Sequence, residues 1–431
     1  MTSPRSALRQ ISRLTAALTG GFALLLLTGC GKLHQVFSLS GPQSTMVTAG
    51  PVAARQWDLF MVTVYVTLFI FIIVGTILAY AQIKFRARNE ADEHAPSPAE
   101  AGHGNPLVEI GLIAGSVALL VIIAIPTVRD IWYTHDVPED EKGGAIEVVA
   151  TGYQWWFKFE YPSEQVKLPN GGEATLTTGN ELVVPAGTAV RVQLRTIDVI
   201  HSFWIPKLAG KVDMMPNRGN FLWFKADKPG YYYGQCAEYC GESHAIMRFR
   251  VIALSAADYI KWLDNQKSSA RTVTAQSLAA AAEVPHVRFA SLQNTGPGST
   301  LAGSPTFDAD PFAAWKKQQA VDDGESAALV TTGRKLFTEK TCITCHTVRG
   351  HEGIGIAGPE LTHVGARSSI AAGVLENTTE RLHQWIKDPA YFKPGNKMYH
   401  GGYIDVTTGQ PKFSLTDQEI DAIVAYLHSL K

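Results

Sequence analysis

The chain has 431 residues and a net charge of −1, longer than one ordinary domain, so two or three folded units are expected. The near-neutral balance excludes a nucleic-acid binder, which would carry a basic patch. Its five cysteines fall as one single, Cys30, and two close pairs, Cys236/Cys240 and Cys342/Cys345, which excludes a disulfide framework and asks for a separate explanation of each.

The N-terminus carries Arg5, Arg9 and Arg13 and then an apolar run ending Leu24-Leu25-Leu26-Leu27, so residues 1–29 read as an export signal. Thr28-Gly29 before Cys30 resembles the bacterial lipoprotein signal, which implies cleavage before Cys30 and a lipid on its sulfur. The other reading is a plain signal peptide with an incidental cysteine. A short exported segment, 30–55, leads to a hairpin over 56–133. Residues from about Leu59 to Ala81 hold no charge, about 23 residues and enough to span a bilayer. A second uncharged stretch runs from about Ile110 to Val128. Lys84, Arg86 and Arg88 directly follow the first span, so the positive-inside rule puts the connecting loop in the cytoplasm and everything after about Trp132 outside it.

From 144 to 256 the pattern becomes short alternating runs, such as Val190-Arg191-Val192-Gln193-Leu194, broken by turns such as Lys228-Pro229-Gly230. This predicts an all-β sandwich or barrel. A helix is expected over 256–266. Residues 267–325, rich in Ala, Ser, Thr, Pro and Gly, read as a flexible linker, with a further helix start at Asp310-Pro311. Residues 326–431 read as a compact helical domain. Its last helix opens on the capping-box pattern Thr416 to Glu419 and sets Ile420, Ile423, Val424 and Leu427 on one face.

The densest chemistry lies in one loop of twelve residues, with Cys236, Cys240, His244 and Met247, and His201 lies upstream of it. Thiolate, imidazole and thioether together select copper over hard cations, and two thiolates can bridge a metal pair. A Cys236–Cys240 disulfide is the competing reading outside the cell. Zinc is the other, weakened by methionine being a poor ligand for it. The second constellation is Cys342-Ile343-Thr344-Cys345-His346, the attachment motif of a c-type haem, in which the imidazole of His346 becomes an axial ligand. Of the seven methionines only Met398 follows this motif, which makes it the candidate sixth ligand. A bis-histidine haem using His400, His383 or His363 is the rival.

The order Cys-x3-Cys-x3-His-x2-Met behind an upstream histidine resembles the dinuclear CuA site of cytochrome c oxidase subunit II, over roughly residues 50 to 256. That resemblance implies a multidomain chain. Its parts would be a two-helix transmembrane hairpin, an all-β cupredoxin-like Greek-key barrel and an all-α class I cytochrome c domain. It implies that Cys236 and Cys240 bridge two coppers, with His201, His244, Met247 and the backbone carbonyl of Glu238 as further ligands. The Glu238 side chain would face the catalytic subunit, where the family binds magnesium. Trp155, in Gly152-Tyr153-Gln154-Trp155-Trp156, resembles the tryptophan through which electrons reach copper; the alternative is a core aromatic. Glu109, at the start of the second span, matches an acid that opens a proton path in the family. Acids are also favourable at a helix N-terminus for the dipole alone. A haem domain fused behind the barrel resembles subunit II of the caa-type oxidases.

The implied function is electron relay in a respiratory oxidase of the bacterial inner membrane. Haem c would be reduced by cytochrome c or another periplasmic donor. The implied partners are the catalytic subunit I, subunit III and membrane lipid. Two other readings are a non-redox subunit of a quinol oxidase, against which the intact ligand set argues, and electron delivery to a nitric oxide reductase.

Overall fold

The structure, a computed structural model, describes residues 41–89, 105–168, 171–274, 310–322, 324–353 and 355–431. The expected signal peptide and Cys30 lie outside these residues.

Helix α1 (Pro51–Lys84) and helix α2 (Pro106–His135) contain the two uncharged spans. Proline stands at the start of each, where its missing N–H costs nothing, and the Asn105 side chain caps α2 by accepting from Leu107 N at 3.0 Å. Phe71, Ile83, Leu112 and Ile125 point away from the protein, so both helices are apolar all round. Such helices need hydrocarbon as their surroundings, and each is long and apolar enough to cross a bilayer. At their outer end Arg55 meets the buried carboxylate of Asp130 at 3.4 Å. The pair then docks on the barrel: Tyr133 stands edge-on to Trp223 at 5.5 Å, and Trp223 Nε1 donates to Tyr133 O.

The barrel has one sheet of β1 (Ile146–Tyr153), β2 (Trp156–Lys167), β3 (Glu173–Gly179), β5 (Ala189–Thr196) and β8 (Asn220–Lys225), in the order β3-β2-β1-β5-β8. A second sheet takes β4 (Glu181–Pro185), β10 (Arg248–Leu254) and β9 (Gly230–Gln235), in the order β4-β10-β9. The pairs β1–β5 and β4–β10 are parallel and the remaining pairs in these sheets antiparallel. The predicted alternation is visible in β5, where Val190, Val192 and Leu194 are buried between partly exposed polar neighbours. Between the sheets Phe157, Phe159, Phe203 and Phe249 fill the core, with Phe203 stacked on Phe249 at 4.6 Å. A small ribbon, β6 (His201–Phe203) with β7 (Val212–Met214), closes one end.

Helix α3 (Ala256–Lys267) follows the barrel. Of the flexible linker expected over 267–325, residues 275–309 lie outside the described residues; the first stretch is docked on the helical domain, and the helix expected from Asp310-Pro311 is present. Ala270 and Val273 are buried against the helical domain, Ala270 N donates to Arg349 O at 2.8 Å, and Arg271 pairs with Glu325 at 2.7 Å. Helix α4 (Pro311–Gln318) buries Trp315. Small apolar residues and one tryptophan anchor these stretches, and averaging over a long Ala/Ser/Thr-rich window hides them.

The C-terminal domain holds α5 (Ala327–Glu339), α6 (Thr379–Lys387) and α7 (Asp417–Ser429). The capping box at Thr416 and Glu419 is formed, and Ile420, Ile423, Val424 and Leu427 are buried. Helices α5 and α7 cross at Gly333, where a Cβ would stand 1.9 Å from Ala422 O.

Candidate metal and haem centres

The β9–β10 connection leaves the barrel at Cys236 and returns at Met247; Cys236 N donates to Met247 O at 2.9 Å, closing its neck. Within it a 3-10 turn, His244–Ile246, brings the imidazole back toward the sulfurs. Cys236 Sγ lies 3.8 Å from Cys240 Sγ, 3.9 Å from His201 Nδ1 and 3.3 Å from Glu238 O. Cys240 Sγ lies 3.6 Å from His244 Nδ1 and 3.8 Å from Met247 Sδ. All six expected ligand groups therefore gather at one end of the barrel. The sulfurs are free thiols. Their separation far exceeds a disulfide bond of about 2.05 Å. It leaves room for a shared metal, since metal–thiolate bonds of ~2.3 Å reach a common ion from both sides. The thiol of Cys236 is held well below its ordinary range, first by the hydrogen bond from Cys240 and then, against burial, by His201. A pair with one sulfur already ionised is ready to take a soft cation. The donor set, two thiolates, two imidazoles, a thioether and a carbonyl, fits copper.

Supporting groups fix the ligands. Asp198 Oδ1 meets His201 Nε2 at 2.9 Å, which leaves Nδ1 directed at the sulfur. Burial raises the Asp198 carboxyl, but His201, Gln154 N and Val199 N outweigh it and hold the group at about 2. Gly241 has φ +114°, and a Cβ there would meet Trp155 Cζ2 at 2.9 Å. A Cβ on Gly152 would stand 2.7 Å from His201 Cδ2. The Gly152→Ala chain is therefore expected to keep its fold but push the imidazole aside, shifting the optical spectrum of the copper-loaded protein; an unchanged spectrum would contradict this packing.

Trp155 is buried and its Nε1 donates to Cys240 O at 2.9 Å, as does Gln154 Nε2. Its outer face is covered by the C-terminal domain. Lys393 Nζ donates to Trp155 O, a Cβ on Gly395 would meet Trp155 Cη2 at 2.8 Å, and Ser243 Oγ donates to Pro394 O at 2.6 Å. Burial pushes the Lys393 ammonium down to about 7. Glu238 keeps its side chain exposed beside Tyr239. Glu109 is exposed in the first turn of α2, the position the helix dipole favours.

In the C-terminal domain, Cys342 opens a 3-10 turn shortly after α5 and Cys345 directly follows it, both sulfurs free. Pro359 O binds His346 Nδ1 at 2.8 Å, and burial keeps the imidazole neutral, so Nε2 remains available as a ligand. Gly358 approaches so closely that a Cβ would meet His346 Cε1 at 2.5 Å. Met398 sits in the loop that begins at Lys393 and is pinned by Asn396 Oδ1, which accepts from Tyr399 N at 2.9 Å. Two rival histidines are engaged elsewhere: His363 faces Lys431 O and Ser268 O, and His383 Nδ1 meets Asp421 at 2.8 Å.

Asp198, Lys393 and the buried Glu181, whose carboxylate accepts from Ser368 and Trp315, are not marked in the sequence. Asp198 carries a faint signal, an acid three residues before a candidate ligand histidine; the other two depend on contacts between domains and have none.

A family profile described as the periplasmic domain of cytochrome c oxidase subunit II matches residues 146–254, and one described as cytochrome c matches 330–431. Cytochrome c oxidase subunit 2 of Alkalihalophilus pseudofirmus is 32% identical over 412 residues, covering 95% of this chain and 95% of the relative. That of Bacillus subtilis is 30% identical over 424 residues, covering 94% and 95%. Among solved structures, the periplasmic domain of subunit II of cytochrome oxidase from Bradyrhizobium japonicum is 34% identical, covering 28% of this chain and 93% of that one, with a TM-score of 0.24. The two domains imply binding of copper and haem. With relatives at this identity along nearly its whole length, the chain belongs to the cytochrome c oxidase subunit 2 family and is a subunit of a cytochrome oxidase.

Proposed function

We propose that this chain takes electrons from a periplasmic donor such as cytochrome c on a covalent haem c and passes them through a dinuclear CuA centre to the catalytic subunit. Oxygen is reduced to water there, coupled to proton translocation, and the complex sits with subunits I and III in the bacterial inner membrane. The observation that carries this reading is the convergence of two imidazoles, a thioether and a carbonyl within 4 Å of the sulfur of Cys236 or Cys240, which lie 3.8 Å from each other.

His201, Cys236, Cys240, His244, Met247 and Glu238 O hold the copper pair. Bound there, it supplies a one-electron carrier spread over two metals. Asp198 orients His201, and the burial of Cys236, Cys240 and Met247 keeps water from the sulfurs, so little has to rearrange when charge arrives. Cys342 and Cys345 would anchor the porphyrin, His346 would hold its iron through Nε2, and Met398 would supply a thioether ligand, a type that raises the potential. Trp155 bridges the two centres, its ring against Gly395 in the Met398 loop and its N–H on the carbonyl of Cys240. The exposed carboxylate of Glu238 faces the catalytic subunit and contributes to a magnesium site there, and Glu109 opens a proton path into that subunit.

Metal and haem analysis of the purified chain tests the proposal. Two coppers and one covalent haem per chain are expected; zinc, or a copper-free disulfide, would refute it. Replacing Met247 with leucine, close in volume and costing less than ~1.5 kcal/mol in a core, should alter the copper spectrum without unfolding the barrel. A spectrum identical to that of the unaltered protein would remove Met247 from the ligand set.

A further inference from the structure

The haem domain meets the barrel through a buried carboxylate. Glu181 opens β4, and its side chain turns out of the barrel into the seam. Its Oε1 accepts from Ser368 N at 2.8 Å and from Ser368 Oγ at 2.6 Å; its Oε2 accepts from Trp315 Nε1 at 3.0 Å. The Ser368 hydroxyl hydrogen is engaged on Glu181, so Tyr231 of β9 donates to the Ser368 oxygen, at 2.9 Å. Glu181, Ser368 and Trp315 are each 5% exposed or less. One carboxylate thus joins three units: the barrel that carries it, the haem domain through Ser368, and helix α4 through Trp315.

Helix α4 reinforces the join. Gln318 Nε2 donates to Gly365 O at 3.0 Å and Gln319 Nε2 to Ala366 O at 2.7 Å, both in the haem domain. Further along the seam Arg250 Nη2 donates to Gly373 O at 2.8 Å and Arg248 N to Ala372 O at 3.1 Å. The contacts continue to Lys393 and Gly395 on Trp155. Removing the Glu181 carboxylate would leave three buried donors without an acceptor, the costly kind of loss.

We propose that Glu181 is the positioning residue that locks the haem domain on the barrel in one orientation, closing the Trp155 face to an external donor protein, which must deliver to the haem domain instead. This rests on the relay reading. A locked dock transfers electrons without a diffusive search; a swinging domain must find its site each time.

The test uses the full chain loaded with copper and haem, as the unaltered protein, Glu181→Gln and Glu181→Ala. Backbone hydrogen exchange is followed at residues 311–319 and 366–373, and haem-to-copper transfer after flash reduction is timed with and without glycerol. In the unaltered chain both segments should be protected and the transfer rate independent of viscosity. Glu181→Ala should raise exchange at both segments at least tenfold, leave β1 and β2 protected, and make transfer slower and viscosity-dependent. Glu181→Gln keeps an acceptor for Ser368 but turns a donor toward Trp315, so it should fall between. Viscosity-dependent transfer in the unaltered chain, or unchanged exchange in Glu181→Ala, would overturn the lock. If copper in the unaltered chain is never reduced, the relay fails, and the exchange data alone decide on the lock.

Discussion

A Cys236→Ser chain is expected to purify folded, haem-loaded and without copper. Serine conserves shape but offers a hard hydroxyl that stays protonated at neutral pH, where Cys236 is held as thiolate by Cys240 and His201. Every other proposed donor is placed around the two sulfurs, Glu238 O and His201 of β6 on one and His244 and Met247 on the other. The loss in copper affinity should therefore exceed the ~10–100-fold typical of removing a supporting group. Haem-to-copper transfer should vanish. Folding should suffer little, because the phenylalanine core lies below the loop, and a buried hydroxyl costs only about 1–3 kcal/mol. Copper analysis with urea unfolding checks both halves; a copper-replete variant would contradict the ligand assignment.

The second large effect concerns the haem domain's own fold. Helices α5 and α7 approach so closely at Gly333 that even a methyl group would stand 1.9 Å from the carbonyl oxygen of Ala422 and 2.8 Å from Tyr426 Cβ. The obstacle is backbone, which cannot swing aside as a side chain can. Gly333→Val should force the helices apart and cost about 3 kcal/mol or more, a large share of a small domain's stability. Covalent haem content should fall steeply while the barrel still binds copper. Full haem content with an unchanged melting temperature would show that the crossing is looser than it looks.

Much of the architecture was legible in the sequence because its signals are local. The two uncharged runs became α1 and α2, and the alternation around Val190 became β5. The Thr416–Glu419 box became the cap of α7. The gathering of soft donors in the β9–β10 loop was legible too, because they repeat at short spacing and the polypeptide needs only one turn to bring His244 and Met247 back to Cys240. What stayed hidden joins residues far apart in the chain: Glu181 with Ser368 and Trp315, Lys393 with Trp155, Gly152 with His201. A lone acid in a β-strand, a lysine in a loop and a glycine in a strand have no periodicity or motif to mark them. The docking of residues 270–273 and of α4 was hidden for the same reason. Trp315 fixes α4 through a single indole, and composition averages do not register one residue.

The proposed relay is a closed electron route from haem to copper within one chain. Its most direct test is to reduce the haem of the purified full-length protein with a light flash and follow both centres. The account predicts that haem reoxidation and copper reduction proceed together, in the unaltered protein but not in Cys236→Ser. A haem that stays reduced beside oxidised copper in the intact protein would contradict it.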